Sequence, residues 1–365
     1  MAGLTILLLC VAVTACIYGI WATVSLRQSK HALRVANERV FSHHQGPLAE
    51  TEQEKARMYR QRADEALDLT HTFQKFVPRQ FVDHLAKSQA TELRLGHAAE
   101  DEVAILFCDI RGFSGLSEIM QPQQLMRFLN SYFCRMNEPI HQNRGFIDKF
   151  IGDAIMALFD HPGGTAKQKA ADALQAALDL RVALSLYNEH RAKSGYEPLG
   201  VGIGLHFGDV ILGTVGSEDR MDTTVIGDSV NIAYRLETLT PRFNADIIIS
   251  EQMRDILGDS PGLQTRLLDW VRVKGRRTPL RIYEVLNHLS KDEQKRRQAI
   301  QTEISEGLKC RIERDWDGAL LHFYKAVGKN PTDSLPRHHI LVIEQLRQRE
   351  LDENWDGANE ASSVG

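Results

Sequence analysis

The chain has 365 residues, of which 43% are hydrophobic and 25% are charged, and its formal net charge at pH 7 is −4. This composition is ordinary for a globular protein, and the small negative charge excludes nucleic acid as a partner drawn by a general positive field. The five cysteines form no CxxC pair and no short disulfide-type spacing, which indicates small apolar residues of a reducing compartment.

The first 26 residues carry no charged side chain and are long enough to cross the hydrocarbon of a bilayer. They predict a transmembrane helix over residues 1–26. Because basic residues follow directly, the positive-inside tendency predicts a single-pass protein of the inner or cell membrane with a cytoplasmic catalytic region. These basic residues are Arg27, Lys30, Arg34 and Arg39. A cleaved signal peptide and a lipoprotein signal before Cys16 are alternatives, but both need a basic start that this sequence lacks.

Residues 27–77 are predicted to form a helical linker next to the membrane. Small and aromatic residues recur in it at alternating steps of three and four, the spacing of a coiled-coil seam. These are Ala56, Tyr59, Ala63, Ala66, Thr70, Phe73 and Val77. Since alanine and threonine bury little surface, the helix either pairs when another part of the chain dimerises or packs on its own domain. Pro78 either ends this helix or starts the next short one, and an entry segment is predicted over 78–101.

From residue 102 to residue 288 the pattern changes to apolar strands that alternate with helices. Strands are predicted near 103–108, 146–150, 154–159, 201–207, 268–273 and 281–286, and helices near 122–137, 169–189 and 229–239. Alternating glycines in 201–207 indicate that one face of that strand is closely approached. This region is therefore predicted to be an α+β domain with helices outside a mixed sheet.

Two aspartates each stand at the end of an apolar, strand-like run. Asp109 ends the first strand, and Asp153 lies in the turn of a hairpin. Either one alone fits a helix cap or a turn residue, but two carboxylates on rigid strands are what a pair of divalent cations needs to hold a triphosphate. Where the chain turns into a helix after the first aspartate, the backbone N–H groups of Gly112, Phe113 and Ser114 are candidates for binding phosphate oxygens.

Further polar residues are candidates for nucleotide chemistry. Asn231 and Arg235 are four residues apart on a predicted helix, so they share one face. An amide and a guanidinium there suit a ribose oxygen and a phosphoryl group that gains charge, although the spacing also fits an ordinary surface pair. Lys274 lies on a glycine turn from which it can reach phosphate, and Arg276 and Arg277 beside it could do the same.

Five motifs occur in an order that resembles the catalytic domain of the class III nucleotidyl cyclases, over about half of the chain. They are FCDIRGFS, FIDKFIGDAIMALF, VGIGLHFGDVILGTVG, TVIGDSVNIAYRLE and VKGRRTPLRIYEV. The resemblance implies a ferredoxin-like α+β fold and two divalent cations, Mg²⁺ or Mn²⁺, as cofactors. The roles it implies are metal binding by Asp109, Ile110 and Asp153, catalysis by Asn231 and Arg235, and triphosphate binding by Lys274.

The resemblance also identifies two positions that contact the base. Adenine offers an acceptor at N1 and a donor at N6, and guanine reverses both, so the donor Lys149 and the acceptor Thr224 fit adenine. Guanylate cyclases are expected to carry an acidic residue where Lys149 stands, whereas the alternative for this lysine is a salt bridge to Asp148. Thr224 is typical of the class IIIb branch, which includes bicarbonate-responsive enzymes, and so implies bicarbonate as a regulator.

In this family the active site forms between two catalytic domains, and this chain holds the residues of both halves. The resemblance therefore implies a homodimer, joined through the catalytic domain and the juxtamembrane helix, with ATP as substrate. The predicted activity is that of a membrane-anchored adenylate cyclase, which forms 3′,5′-cyclic AMP and pyrophosphate by a two-metal mechanism. The alternatives are a guanylate cyclase and a catalytically silent nucleotide-sensing or scaffold protein.

Residues 289–356 return to a polar, helical pattern. Part of this segment resembles the second half of a tetratricopeptide-like helix pair, in the residues Trp316, Ala319, Phe323, Ala326 and Pro331. Such arrays usually need about three units to bury a core, so the segment is predicted to be a cap docked on the catalytic domain or a small interaction surface. Residues 357–365 are predicted to be disordered.

Overall fold

The computed structural model describes residues 52–73, 98–217, 219–258, 260–273 and 278–361. The chain divides into two compact units, 1–72 and 73–365, and each is described by itself. The described part of the first unit lies in helix α1 (Glu52–Phe73), whose side chains are exposed over 57–69. The pairing of this helix into a coiled coil stays a prediction.

The predicted single-pass membrane location is corrected here. Crossing a bilayer takes about 20 consecutive, mostly apolar residues in one helix. No helix within the described ranges combines that length with that apolarity. Residues 1–26, on which the prediction of a transmembrane helix rested, lie outside the described residues, as do 27–51 and 74–97 of the predicted linker and entry segment.

One mixed sheet of nine strands runs through the described residues of the second unit. The strands are β1 (Ala98–Ile110), β2 (Phe146–Ile151), β3 (Ala154–Phe159), β4 (Val201–Ser217), β5 (Arg220–Ile226), β6 (Ile247–Ser250), β7 (Thr265–Val273), β8 (Leu280–Val285) and β9 (Asn359–Ala361). Their spatial order is β2-β3-β1-β4-β6-β8-β7-β9, with β5 paired to β4. The pairs β4–β6 and β7–β9 are parallel, and the other neighbours are antiparallel.

Helices cover both faces of this sheet. They are α2 (Phe113–Ile119), α3 (Pro122–Gln142), α4 (Ala166–Lys193), α5 (Asp228–Thr238), α6 (Thr240–Phe243), α7 (Glu251–Leu257), α8 (Lys291–Gln298), α9 (Gln301–Ile312), α10 (Trp316–Lys329) and α11 (Ser334–Arg347). Along β1, Leu106 joins a core formed with α3 and α4, whereas its neighbours Ile105 and Phe107 join a second core that includes Ala233 of α5. The burial of both faces explains the continuous apolar run of β1 and confirms the predicted α+β layers.

The C-terminal helices α9, α10 and α11 pack on the sheet and share a hydrophobic core with it. Ile304, Phe323 and Ile343 of these helices belong to the same buried cluster as Leu236 of α5 and Val271 of β7. A cap docked on the sheet would share a core with it in this way, whereas a separate module would have a core of its own. The likeness of this segment to a tetratricopeptide unit stays a prediction.

Part of the predicted disordered tail is ordered. Residues 359–361 form β9, which pairs in parallel with the edge of β7. The Arg272 guanidinium reinforces this pairing, because it contacts a carboxylate oxygen of Asp356 at 2.6 Å and one of Glu360 at 3.2 Å. The strand forms because an exposed edge, remote in sequence, offers unpaired backbone groups. Residues 362–365 lie outside the described residues.

Candidate active site

Asp109 and Asp153 lie together at one end of the sheet. Strands β1 and β3 run antiparallel with Cys108 opposite Ile155, so Asp109 comes beside the turn that precedes β3. That turn contains Asp153. Asp109 also accepts a hydrogen bond at Oδ1 from the backbone N–H of Ile110, at 2.9 Å. The strand register therefore brings together the two carboxylates that the sequence predicts to bind divalent cations.

The electrostatics of this pair fit a cation. Burial and the neighbouring Asp109 carboxylate raise the pKa of Asp153 to about 8. Its Oδ2 atom is buried and finds no hydrogen-bond partner among the described residues. The same ranges contain no group of three or more histidine, cysteine or acidic side chains that could hold a metal ion. Backbone and nucleotide oxygens would therefore have to complete the coordination, as they commonly do for Mg²⁺.

The chain turns sharply after the first carboxylate. Gly112 has φ of 70°, in the left-handed region that favours glycine, and the seven-residue helix α2 begins at Phe113. Arg111 fixes the turn through an ion pair with Asp246 at 3.2 Å. The predicted phosphate-binding residues Gly112, Phe113 and Ser114 thus follow Asp109 closely in the chain, and their contacts with a nucleotide stay predictions.

The two residues predicted to contact the base are brought together by the fold. Lys149 on β2 donates a hydrogen bond from Nζ to Oγ1 of Thr224 on β5, at 2.8 Å. The same Nζ lies 3.4 Å from Oδ2 of Asp148. The salt bridge considered as an alternative for Lys149 is therefore present together with the contact to Thr224, and the site presents an ammonium and a hydroxyl side by side.

Replacing Asp148 by asparagine is expected to stabilise the protein near pH 8 and to change little near pH 4. Burial, only partly offset by Lys149, raises the pKa of Asp148 to about 6. The fold therefore favours the protonated carboxyl group of Asp148. This stabilisation is fully present below the unfolded-state pKa and is lost as the pH rises through the raised pKa of the folded state. Urea unfolding near pH 8 should show a gain of about 1–3 kcal/mol for the variant. The same difference at both pH values would contradict this assignment.

Helix α5 carries Asn231 and Arg235 on the face that points away from the sheet. Ile232 and Leu236 on the sheet-facing side are buried, whereas Asn231 is exposed and Arg235 is partly exposed. The four-residue spacing therefore places the two polar side chains on one face, as expected. Their chemical roles stay predictions. Lys274, predicted to bind the triphosphate, lies outside the described residues.

Glu237 was not predicted as a site residue, yet it lies close to the two aspartates. Its side chain belongs to the sheet-facing side of α5 and is only 6% exposed. Burial, together with the charges of Asp109 and Asp153, raises the pKa of Glu237 to about 8. The sequence contained a signal for it, namely an acidic residue at a helix position where the 3.6-residue period requires burial.

Comparisons with known proteins agree with this arrangement. The family described as adenylate and guanylate cyclase catalytic domain matches residues 95–287, which is more than half of the chain. An adenylate cyclase of Anabaena cylindrica is 43% identical over 219 residues, covering 59% of this chain and 42% of that protein. The terminal-differentiation specific adenylate cyclase of Dictyostelium discoideum is 33% identical over 288 residues, covering 78% of this chain and 13% of that protein. The chain thus spans less than half of the length of either relative.

A solved structure shares the architecture. The structure of a bacterial light-regulated adenylyl cyclase aligns with a TM-score of 0.55 and 26% identity, covering 66% of this chain and 68% of that chain. The family match includes all five sequence motifs, the carboxylate pair, the Lys149–Thr224 pair and helix α5. On these grounds the chain belongs to the class III nucleotidyl cyclases, the family of adenylate and guanylate cyclase catalytic domains.

Proposed function

We propose that this protein is an adenylate cyclase, which converts ATP to 3′,5′-cyclic AMP and pyrophosphate. The observation that carries the proposal is the 2.8 Å contact between Lys149 Nζ and Thr224 Oγ1. A lysine ammonium has three N–H donors, so it can donate both to the threonine and to the N1 acceptor of adenine. The threonine oxygen can then accept from the N6 amino group. Guanine offers the reverse pattern and fits this pair less well.

Asp109, Asp153 and the backbone of Ile110 would hold the divalent cations that this family uses. We propose two ions, Mg²⁺ or Mn²⁺, whose positive charge supplies stabilisation for the attacking 3′-hydroxyl and the departing pyrophosphate. This assignment is supported by the buried Oδ2 atom of Asp153, which has no hydrogen-bond partner among the described residues. The backbone N–H groups of residues 112–114 would bind phosphate oxygens beside the ions.

The other half of the site would come from helix α5 and the segment after β7. Asn231 would orient the ribose, so that its 3′-hydroxyl stands in line with the α-phosphorus, and Arg235 would stabilise the negative charge that develops on the phosphoryl oxygens. Lys274 would bind the triphosphate as a point charge. No side chain has to act as a separate base in this scheme.

We further propose that the two halves of each site come from two copies of the chain. Asn231 and Arg235 lie on the side of α5 that points away from the sheet, and so away from the carboxylates of their own chain. Large apolar side chains are exposed on β2, on the β4–β5 hairpin and on α5, which is typical of a surface that a second copy covers. They are Phe150, Ile151, Ile211, Val215, Met221, Ile226 and Tyr234. Helix α1 would add to the pairing.

The purified full chain, given ATP and Mn²⁺, tests this proposal. We expect cyclic AMP and pyrophosphate in equal amounts, and GTP should compete weakly for the same site. Normal nucleotide binding without cyclic AMP would refute catalysis, and faster formation of cyclic GMP would identify a guanylate cyclase instead. The implied bicarbonate response is checked by adding bicarbonate to the same assay at fixed pH.

A further inference from the structure

Helix α5 rests directly on strand β4, because the strand has glycines where the helix crosses it. A Cβ atom on Gly204 would overlap the backbone N of Glu237 and the carbonyl oxygen of Ala233. One turn of the helix is thus seated on the strand backbone. The Tyr234 ring adds an edge contact with Phe107 of β1, with 5.5 Å between ring centres. The position of α5 is therefore set by close contact with the two strands that lead to the active site.

This seating places the carboxyl group of Glu237 on the same face of the sheet as Asp109. Strand β4 pairs Gly202 with Asp109, and directly opposite residues of an antiparallel pair project to one face, with Cβ atoms about 4.5–5.5 Å apart. A Cβ atom on Gly202 would lie 2.6 Å from Oε1 of Glu237. The Glu237 carboxyl therefore occupies the space next to the Asp109 side chain.

The surroundings of this third carboxyl are polar and incompletely paired. Thr240 is fully buried, its hydroxyl also faces the space over Gly202, and this hydroxyl has no hydrogen-bond partner among the described residues. A divalent cation held by the two aspartates would also attract the Glu237 carboxylate, because the three groups lie close together.

We propose that Glu237 is a positioning residue: its buried charge couples cation binding at the two aspartates to the placement of helix α5. The proposal rests on the proposed function, since it assumes that Asp109 and Asp153 bind the cations. With cations bound at the aspartates, the Glu237 carboxylate would be attracted toward them, and helix α5 would be held against β4.

The coupling has a consequence for a two-copy enzyme. Glu237 faces the carboxylates of its own chain, whereas Asn231 and Arg235 occupy the opposite face of the same helix. Cations bound in one site would therefore hold in place the side chains of Asn231 and Arg235, which this helix contributes to the other site. A helix with two such faces links the two sites without any additional element.

The test is Mn²⁺ binding to the full-length Glu237→Gln variant, measured by electron paramagnetic resonance without nucleotide. We expect the dissociation constant for Mn²⁺ to rise about tenfold, as is common when a group that supports a metal ligand is changed. The matched control is Glu189→Gln, an exposed glutamate on α4, which should bind Mn²⁺ like the wild type. At saturating Mn²⁺, kcat of Glu237→Gln should fall while the KM for ATP stays nearly unchanged.

Glu237→Asp distinguishes charge from shape. Because it keeps the charge, it should bind Mn²⁺ within about threefold of the wild type. The proposal is overturned by wild-type Mn²⁺ affinity in Glu237→Gln, or by an equally large loss in a folded Glu237→Asp protein. Since Mn²⁺ binding is read without turnover, a chain that binds Mn²⁺ through Glu237 but makes no cyclic AMP would refute the proposed function alone.

Discussion

Asp109→Ala and Asp153→Ala should each lower the rate of cyclic AMP formation by at least about a thousandfold. Cations at a phosphoryl-transfer site contribute several kcal/mol of transition-state stabilisation, and each 1.36 kcal/mol is a factor of ten in rate. The two carboxylates lie beside each other at the end of β1 and β3, so either substitution removes one of the two side chains that would hold the ions.

The measurement is cyclic AMP production at saturating ATP over a range of Mn²⁺ concentrations. Asp255→Ala is the matched control, because this aspartate is 65% exposed on α7 and takes no part in the site. Neither active-site variant should unfold, since each removes one of three crowded carboxyls. Substantial turnover in either variant would remove the assignment of the aspartates as metal ligands.

Arg311→Ala should lower the free energy of unfolding by about 3–5 kcal/mol, because it leaves a buried charge without its partner. Arg311 on α9 and Asp269 on β7 are both fully buried, with 2.7 Å between Nη2 and Oδ1. Burial opposes the ionised form of Asp269, but the charge and hydrogen bond of Arg311, together with contributions from His339 and Asn359, outweigh it and lower the pKa of Asp269 to about 2. Asn359 of β9 also donates to Asp269, at 3.2 Å.

Urea unfolding measures this effect. Arg296→Ala is the control, because its ion pair with Glu293 is largely exposed and should contribute less than about 1 kcal/mol. The double variant Arg311→Met with Asp269→Asn should recover part of the lost stability, since no charge then remains buried. A loss below about 1 kcal/mol for Arg311→Ala would show that the C-terminal helices do not depend on this pair.

The central strands and the carboxylate pair could be predicted from the sequence because they rest on local patterns. A buried apolar run identifies β1, and an aspartate that follows such a run is visible without the fold. The closeness of Asp109 to Asp153, in contrast, depends on the pairing of β1 with β3, which are not consecutive strands. Alternating glycines in β4 correctly indicated a closely approached face, which helix α5 occupies.

Other features depend on contacts between distant parts of the chain. The hydrogen bond between Lys149 and Thr224 joins residues 75 positions apart. The family resemblance assigns both residues to the base, but their spacing in the sequence does not predict that they are in contact. Strand β9 forms only because the edge of β7 is available to it, which its short polar sequence does not reveal. The helical period places Glu237 on the buried face of α5, but its closeness to the aspartates depends on the glycines of β4, which let the helix approach the sheet.

The most direct test of a site shared by two copies is to combine two inactive variants. Asp109→Ala and Arg235→Ala chains, each inactive alone, are co-expressed with different tags and purified through both tags in turn. Random pairing makes half of all dimers mixed, and each mixed dimer has one intact site, so the unselected mixture should regain about a quarter of the wild-type rate. Doubly tagged dimers should reach about half of it. Doubly tagged dimers that form normally but stay as inactive as either variant alone would contradict the shared site.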